Sequence, residues 1–545
     1  MSHELCEIGV IGLTTLGQSL AAHHASTKTR VCVADEDPTF VPAVINEYKT
    51  QIEAGEHEDD PLPRASRCML PSHSMDELIA NVCPPRKILV FGTHRDDGKF
   101  ADLWSRLAPN LEPGDMVLRW GREDDHDKGF TFYKESIVAQ LSQTQGRPRE
   151  IHLLEMVRME RDRTTVFEGE TPESFLVGGP RRAYEKIEPY VSPCATIVHA
   201  GDDAGCAHYA HMIQRTIENG LTQAIAEGTD ILAKAARWEH QDIGRIMNNW
   251  NAGRLSSYLV RIASKIFYKR DNVTKQGFVI EYIVDTIDLG PVDTWMTLEA
   301  TKFGIPTPTI NACLESRFIS AMKEERMEAS GILKVPENSD TPSVLRDQMA
   351  DDLQNAIYCA CLCFIAECFA IFQAASDMEY WNANFADCIG LWNTPGSFLE
   401  SNILEKVHAS LVQNKDKELT NLITFPDIAS ELQELHMSWR RIVTLSFASA
   451  IPCPTLSSSL TYYDSYRTRR LPVGLIHAQR DWFDASGYAR FGMEGWFSTC
   501  WITEHTRERK KMEAELERAE WEREMEEEQQ RKMEEEQKKK KAKNG

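Results

Sequence analysis

The stretch Glu7-Ile-Gly-Val-Ile-Gly-Leu-Thr-Thr-Leu-Gly17 decides the fold of the N-terminal part of the chain. Its first five residues predict a buried strand, Gly12 to Gly17 predict a tight turn, and the residues that follow to about Ala25 predict a helix. A strand, a glycine turn and a helix in this order present helix N-terminal amides to a pyrophosphate. Gly12, Thr14 and Gly17 are therefore candidate cofactor-binding residues.

Two further strands support this interpretation, the second at Arg30–Ala34 and the third at Lys87–Phe91. The second strand is followed by three acids, Asp35, Glu36 and Asp37. One acid at this place can accept from the ribose hydroxyls of NAD, whereas three acids repel the 2′-phosphate of NADP. Two interpretations stay open: a domain that prefers NAD, or one that binds dinucleotide poorly or not at all.

Composition limits the classes of function. At 545 residues the chain predicts two or three domains. Its net charge is -22, and an acidic body repels phosphate backbones, which argues against a nucleic-acid partner. The 14 cysteines show no paired metal-ligand spacing and follow no secretory leader. We therefore expect reduced thiols, no metal site and a cytosolic location.

One apolar run, Ile357–Phe372, has to be weighed as a membrane segment. Glu367 interrupts it, and it is shorter than the roughly twenty residues that a bilayer span needs. The run predicts a buried helix and no membrane partner. Its cysteines are expected to be small core residues rather than metal ligands.

A second informative stretch is Ala207–Gly220, AHYAHMIQRTIENG, whose apolar residues recur at helical spacing. It resembles the catalytic helix of the decarboxylating 6-phosphogluconate dehydrogenases, GHFVKMVHNGIEYG. The motif's first His falls on His208. Its Lys, second His, Asn, Glu and Tyr fall on His211, Gln214, Arg215, Glu218 and Asn219.

The resemblance to this family extends from about Glu7 to about Trp501. The family motifs SWRR, IPxP, SFYDGYR and LIQAQRDYF have counterparts in the right order, at Ser438–Arg441, Ile451–Pro454, Ser459–Arg467 and Leu475–Phe483. It implies an α/β plus all-α protein, with a Rossmann-like doubly wound sheet, a large all-helical dimerisation domain and a charged C-terminal helix. The predicted boundaries are 1–204 for the NAD(P)-binding domain, 205–480 for the helical domain, 481–503 for a tail that wraps onto the partner subunit, and 504–545 for the charged helix.

The resemblance also assigns site residues. The family uses the helix Lys as base and the helix Glu as acid, so Glu218 is a candidate acid and His211 stands at the base position. Arg317 and Arg480 match the arginines that grip the substrate phosphate, and each has an alternative interpretation as a partner in an ion pair. Arg122 takes the place of the Asn in the family's DGGNS.

Several family elements are missing or altered. The family's glycine-rich VSGGEEGA loop falls near Arg158–Arg161, where no Ser-Gly-Gly occurs, and QKGTGKW is replaced by Asp288–Trp295. The turn GLAVMG has Thr14 where the backbone approaches the pyrophosphate, and the NADP-binding Arg of the family's Asn-Arg-Thr is Glu36. NADP is the cofactor that the resemblance implies, whereas the residues present favour NAD or none.

Two functional hypotheses follow. The first is a family member that has lost oxidative decarboxylation and serves as a structural, scaffold or regulatory homodimer. The second is an active decarboxylating dehydrogenase of the pentose phosphate pathway type, or an NAD-linked variant with a changed substrate. The tail Glu504–Lys543 lies outside the family pattern and is rich in acid-before-base pairs at i,i+4, which predicts a solvated single helix available to a protein partner.

Overall fold

The computed structural model describes residues 5–35, 41–46, 68–92, 97–121, 151–159, 172–287, 290–333, 346–415, 417, 421–501 and 504–543. The chain divides into two compact units, Met1–Tyr463 (unit 1) and Asp464–Gly545 (unit 2).

Unit 1 begins with a sheet of short strands, and most of their residues are buried. The strands are β1 Ile8–Ile11, β2 Val31–Ala34, β3 Met69–Pro71, β4 Lys87–Val90, β5 Met116–Trp120, β6 His152–Arg158, β7 Glu173–Gly178 and β8 Ala195–Gly201. Their order is β3-β2-β1-β4-β5-β6-β7-β8, and of these pairings only β6 with β7 is antiparallel. The predicted Rossmann-like sheet is confirmed.

The order of strands predicted from the sequence was wrong at one place. Lys87–Phe91 is not the third strand, because Met69–Pro71 precedes it at the edge of the sheet, beside β2. A strand of three residues is too short to show the alternation on which sequence patterns rest. Its Pro71 is also a residue that strands tolerate mainly at edges.

Helices cover both faces of the sheet. The described helices here are α1 Thr15–Ser26, α2 Met75–Asn81, α3 Asp97–Leu107 and α4 Arg181–Val191. Leu16 and Leu20 of α1 pack with Ile187 of α4 in one apolar cluster, and Leu103 and Trp104 of α3 belong to the cluster on the other face. Alternate residues of β1 point into the two clusters, as the pleat of a strand requires.

The rest of unit 1 is helical and has one continuous apolar core. Its described helices are α5 Gly205–Lys234, α6 His240–Trp250, α7 Tyr258–Tyr268, α8 Pro291–Phe303, α9 Pro308–Ala321, α10 Lys323–Ile332, α11 Arg346–Glu379, α12 Phe385–Trp392, α13 Asn402–Gln413, α14 Pro426–Ala448 and α15 Pro454–Arg467, which runs on into unit 2. The α/β plus all-α fold class is confirmed. The boundary predicted at residue 204 falls between the end of β8 and the start of α5.

The apolar run Ile357–Phe372 lies in α11. Among the described helices, this is the one long and apolar enough to cross a membrane, and 89% of its most apolar window is buried inside the protein. The four cysteines of this run are all buried, and burial raises the pKa of the Cys361 thiol to about 12. All 14 cysteines fall within the described residues, and none forms a disulfide.

The helical region carries the same local arrangement twice. Trp250-Asn251 ends α6, and the Asn251 side chain accepts from the Ser257 amide at 3.0 Å. Trp392-Asn393 ends α12, and Asn393 accepts from the Ser401 amide at 2.7 Å. Ser257 and Ser401 cap α7 and α13 with their hydroxyls and pair with each other in an antiparallel bridge. The two halves of the region therefore meet at a pseudo-twofold contact.

Two buried carboxylates follow the same repeat. Glu227 in the long helix α5 accepts from the amides of Thr455 and Leu456 at 2.9 and 3.0 Å, at the start of α15. Glu367 in the long helix α11 accepts from the amides of Thr309 and Ile310 at the start of α9, each at 3.1 Å. Each carboxylate satisfies helix N-terminal donors that would otherwise be buried without a partner.

Unit 2 contains α16 Val473–Asp484, the hairpin β9 Tyr488–Arg490 and β10 Met493–Phe497, and α17 Glu504–Lys543. The carboxylate of Asp481 joins α16 to the hairpin, accepting from the amides of Gly487 and Thr499 at 2.9 Å each and from the Trp501 indole at 2.8 Å. Donation by the Thr499 amide is the largest cause that lowers the pKa of Asp481. The predicted charged helix is confirmed as α17.

Candidate functional site

The glycine turn that follows β1 is closely packed. Gly12 has a φ of +84°, and a Cβ there would lie 2.0 Å from the carbonyl oxygen of Phe91. A Cβ on Gly17 would lie 2.4 Å from the carbonyl oxygen of Gly12. Both glycines are therefore required by the packing of the turn against β4, whatever ligand the turn meets.

Two amides of this turn are directed at oxygens of the protein itself. Asp35 at the end of β2 accepts from the Leu13 amide at 2.7 Å. Thr14 is the N-cap of α1, and its hydroxyl accepts from the Gly17 amide at 3.3 Å. The carboxylate of Asp35, a candidate cofactor-binding residue, therefore contacts the glycine turn. Glu36 and Asp37 lie outside the described residues.

The first half of α5 carries the residues aligned with the catalytic motif. Three of them are almost fully buried: His208 and His211 are each 2% exposed and Gln214 is 1% exposed. Tyr209 packs on the rings of Trp295 and Trp381 at 5.7 and 5.2 Å, which anchors the helix in the core. His211, at the base position, is thus enclosed in this structure.

The two family residues retained at the substrate end each contact a residue that departs from the family motif. Glu218 Oε2 lies 2.9 Å from Nη1 of Arg215, one turn earlier on α5. Arg317 on α9 donates from Nη2 to the amide oxygen of Asn219 at 2.6 Å. The candidate acid Glu218 and Arg317, one of the three candidate substrate-binding arginines, are therefore each engaged by a side chain of α5.

A buried ionic cluster joins the sheet to α5 next to this group. Arg119 of β5 lies 3.3 Å from Glu155 of β6, and Glu155 lies 3.5 Å from Nε2 of His208. All three side chains are no more than 2% exposed. A Cβ on Gly121 would lie 2.5 Å from the Glu155 carboxylate, so only glycine fits above the cluster.

Sequence reasoning did not single out Glu155. It assigned no role to Arg119 either. A lone acid in the buried strand HLLEMVR was the available signal, because an acid inside such a strand needs a buried partner.

Comparisons with known proteins show the family to which the chain belongs. Residues 207–501 match the family described as 6-phosphogluconate dehydrogenase, C-terminal domain. The chain is 30% identical over 517 residues to the NADP(+)-dependent, decarboxylating 6-phosphogluconate dehydrogenase of Bacillus subtilis strain 168, which covers 91% of this chain and 99% of that protein. The chain belongs to the 6-phosphogluconate dehydrogenase family.

Other relatives agree. The decarboxylating 6-phosphogluconate dehydrogenase 2 of Arabidopsis thaliana is 27% identical over 92% of this chain and 98% of that protein. A 6-phosphogluconate dehydrogenase of Plasmodium falciparum, solved in its apo form and with NADP+ and 6-phosphogluconate, superposes with a TM-score of 0.71 at 24% identity. That match covers 91% of this chain and all of the other, and it shows that the fold is shared over that part of the chain.

Two further candidate residues of the 6-phosphogluconate dehydrogenase pattern are Arg480 and Arg122. Arg480 is exposed on α16 in unit 2. Arg122 lies outside the described residues, and so do Glu160 and Arg161 of the segment Arg158–Arg161 near which the glycine-rich loop of the family falls. Within the described ranges, no three His, Cys, Asp or Glu side chains are grouped to hold a metal ion.

Proposed function

We propose that this chain is a non-catalytic member of the 6-phosphogluconate dehydrogenase family that acts as a structural, scaffold or regulatory homodimer. The observation that carries the proposal is the pair of internal contacts at the substrate end, Arg215 with Glu218 and Asn219 with Arg317. Arg215 and Asn219 differ from the family motif. Each contacts a residue, Glu218 or Arg317, to which the family pattern assigns a role in the reaction.

The chemistry of oxidative decarboxylation supports this proposal. The reaction needs a base to take the hydroxyl proton and an acid to protonate the enediol that remains after carbon dioxide leaves. Glu218 is engaged by the Arg215 guanidinium at 2.9 Å, so a substrate would have to compete with this ion pair. His211 at the base position is 2% exposed, and its ring is shorter than the lysine chain of the family motif.

The glycine turn also supports loss of the family's cofactor chemistry. The Leu13 amide is engaged by Asp35 and the Gly17 amide by Thr14, so a pyrophosphate would have to displace these oxygens. The described part of the turn does not fit NADP, because the Asp35 carboxylate would also face the negative 2′-phosphate region. We expect binding of neither dinucleotide, or of NAD alone.

The second candidate function is an active dehydrogenase, NAD-linked or with a changed substrate. The retention of Glu218 and Arg317 on adjacent helices favours it, as does the match over 99% of the length of the Bacillus relative. In this alternative, substrate binding would separate the two internal pairs.

Calorimetric titration separates the two candidates. NAD, NADP and 6-phosphogluconate are each titrated into the full chain, with the Bacillus enzyme as a positive control. Non-catalytic function predicts no heat from NADP or 6-phosphogluconate at concentrations that saturate the control. Binding of 6-phosphogluconate together with NAD would support the active alternative, and tighter NADP than NAD would contradict our account of Asp35.

The proposed homodimer rests on exposed apolar side chains of the helical region. The apolar residues with about half or more of their surface in contact with water include Val273, Tyr282, Ile283, Val284, Ile332 and Leu333. A monomer rarely leaves so many unpaired, and a symmetric partner would bury them. Sedimentation at micromolar concentration should give twice the 62.0 kDa chain mass, and a clean monomer would rule the dimer out.

The tail 481–503 and the setting of the protein belong to the same proposal. Phe483, Phe491 and Trp496 of unit 2 are 94%, 84% and 66% exposed, as expected of a segment that packs onto a partner subunit. We propose a cytosolic protein, with α17 available to a further protein partner.

A further inference from the structure

Helix α17 has no counterpart in the family pattern. Its described side chains make few contacts with the rest of the protein. Every residue from 507 to 535 is exposed. A helix of an ordinary globular protein buries an apolar stripe, and most helical stability in proteins comes from that burial. The stability of α17 must therefore arise within the helix itself.

Ion pairs along the helix provide such a source. Arg509 pairs with Glu513 at 3.4 Å and Arg518 with Glu522 at 3.2 Å. Further along, Glu527 pairs with Arg531 at 3.5 Å and Glu528 with Lys532 at 2.7 Å. Each pair contributes roughly 0.2–0.5 kcal/mol to an isolated helix, and the pairs are spread over most of its length.

The apolar residues of α17 do not form a seam for a second helix. Met512 and Leu516 lie on one side, whereas Trp521 and Met525 follow nine residues later and lie on the opposite side, since each residue of a helix advances about 100°. All four side chains are exposed, from 39% to 60%. A coiled coil needs its apolar residues on one continuous stripe.

We propose that α17 is a stiff, single-helix spacer. Its 40 residues extend over about 60 Å at 1.5 Å per residue, whereas a flexible chain of this length has a typical end-to-end distance of about 35 Å. The spacer holds whatever contacts its distal half at a fixed distance from the hairpin of unit 2. This role requires no catalysis and no paired helix.

Distance measurement between spin labels in the full chain tests the proposal. Lys510 and Glu534, both exposed, are replaced by a keto amino acid that takes a nitroxide, which leaves the 14 native cysteines unlabelled. When labelled chain is assembled with an excess of unlabelled chain, so that a dimer carries one labelled copy, a stiff helix predicts a narrow distribution centred near 36 Å, since 24 residues separate the labels. A flexible chain predicts a broad distribution near about 27 Å, and that result would overturn the proposal.

Matched variants at one position make the test specific. Glu522→Ala removes one ion pair but keeps a good helix former, so the narrow distribution should remain. Glu522→Pro interrupts the helix at its middle and should broaden the distribution. If the distance distribution of the proline variant is as narrow as that of the parent chain, contacts outside the helix hold the segment straight, and the proposal is overturned.

Protein with the label at position 534 alone excludes the rival arrangement. Helices of a coiled coil lie about 8–10 Å apart, so paired copies would bring two labels within roughly 20 Å of each other. The spacer predicts no such short distance. A strong component below that limit would establish pairing of α17 and overturn the single-helix proposal.

Discussion

Helix α5 carries Arg215, Glu218 and Asn219 in its first half and Glu227 in its second, and the two halves use polar side chains in different ways. In the first half the family's catalytic residues are replaced, and those that remain contact the replacements. In the second half one carboxylate, 4% exposed, receives two helix N-terminal amides of α15. Glu218 in the first half pairs with Arg215 one turn away, whereas Glu227 in the second half joins α5 to the start of α15.

The difference separates the requirements of the fold from those of the reaction. A reaction depends on a few side chains, each replaceable without opening the core. The fold depends on buried donors that must be satisfied wherever a helix begins inside the protein. Sequence drift can therefore remove the first set while the second persists, and the experiments below compare the two sets.

The largest effect is expected from Glu227→Ala. This change leaves the Thr455 and Leu456 amides without a partner and opens a cavity, so the free energy of unfolding should fall by about 3 kcal/mol. Its matched control is Glu218→Ala on the same helix, which should cost under about 1 kcal/mol because its pair with Arg215 is partly exposed. Urea unfolding measures both, and equal losses would contradict the comparison.

A smaller effect for each unit of pH is expected at the second capping carboxylate, Glu367. Burial raises the pKa of Glu367 to about 8, while hydrogen bonds from Thr309 and Ile310 act in the opposite direction. A raised pKa means that the folded state binds the extra proton, so this stabilisation is complete below about pH 4.5 and is lost as the pH rises through 8.

Glu367→Gln should remove this dependence. The stability of the wild type relative to the variant should therefore decrease between pH 5 and 8, by at most about 1.4 kcal/mol per pH unit. Urea unfolding at four pH values measures the difference. A difference that rises with pH would show that Glu367 is held as a carboxylate by the α9 amides.

The smallest effect is expected at the substrate end. Asn219→Ala deletes the acceptor for Arg317 and should lower the free energy of unfolding by about 0.5–1.5 kcal/mol. Asn219→Asp keeps an acceptor of the same shape and should match or exceed the wild type. If both variants are indistinguishable from wild type, the contact is incidental and does not hold Arg317.

The sequence predicted the parts of the fold that repeat a pattern. The glycine turn, the strands of the sheet centre, the buried helix α11 and the charged helix α17 all follow from residue spacing. The edge strand Met69–Pro71 escaped because three residues carry no periodicity. The roles of Glu227 and Glu367 escaped because each carboxylate serves a helix far away in the chain, although Pro-Thr-Ile and Pro-Thr-Leu open both receiving helices.

The candidate site was only partly predictable for the same reason. His211 and Glu218 both lie on α5, and Arg317 of α9 contacts Asn219 of this helix. The alignment with the catalytic motif did not predict that Arg215 would contact Glu218 or that Asn219 would contact Arg317, since these contacts depend on side-chain geometry. The buried cluster of Arg119, Glu155 and His208 joins two strands and a helix, and only the folded chain brings these three residues together.

The central claim is that this chain keeps the architecture of the 6-phosphogluconate dehydrogenase family without its reaction. The most direct test is an assay with 6-phosphogluconate and either NADP or NAD, in which the absorbance of the reduced nicotinamide is followed. The Bacillus enzyme serves as the positive control. We predict no reduction of either cofactor above the background without protein. Turnover near the roughly 10 per second of a typical enzyme, with either cofactor, would contradict the account.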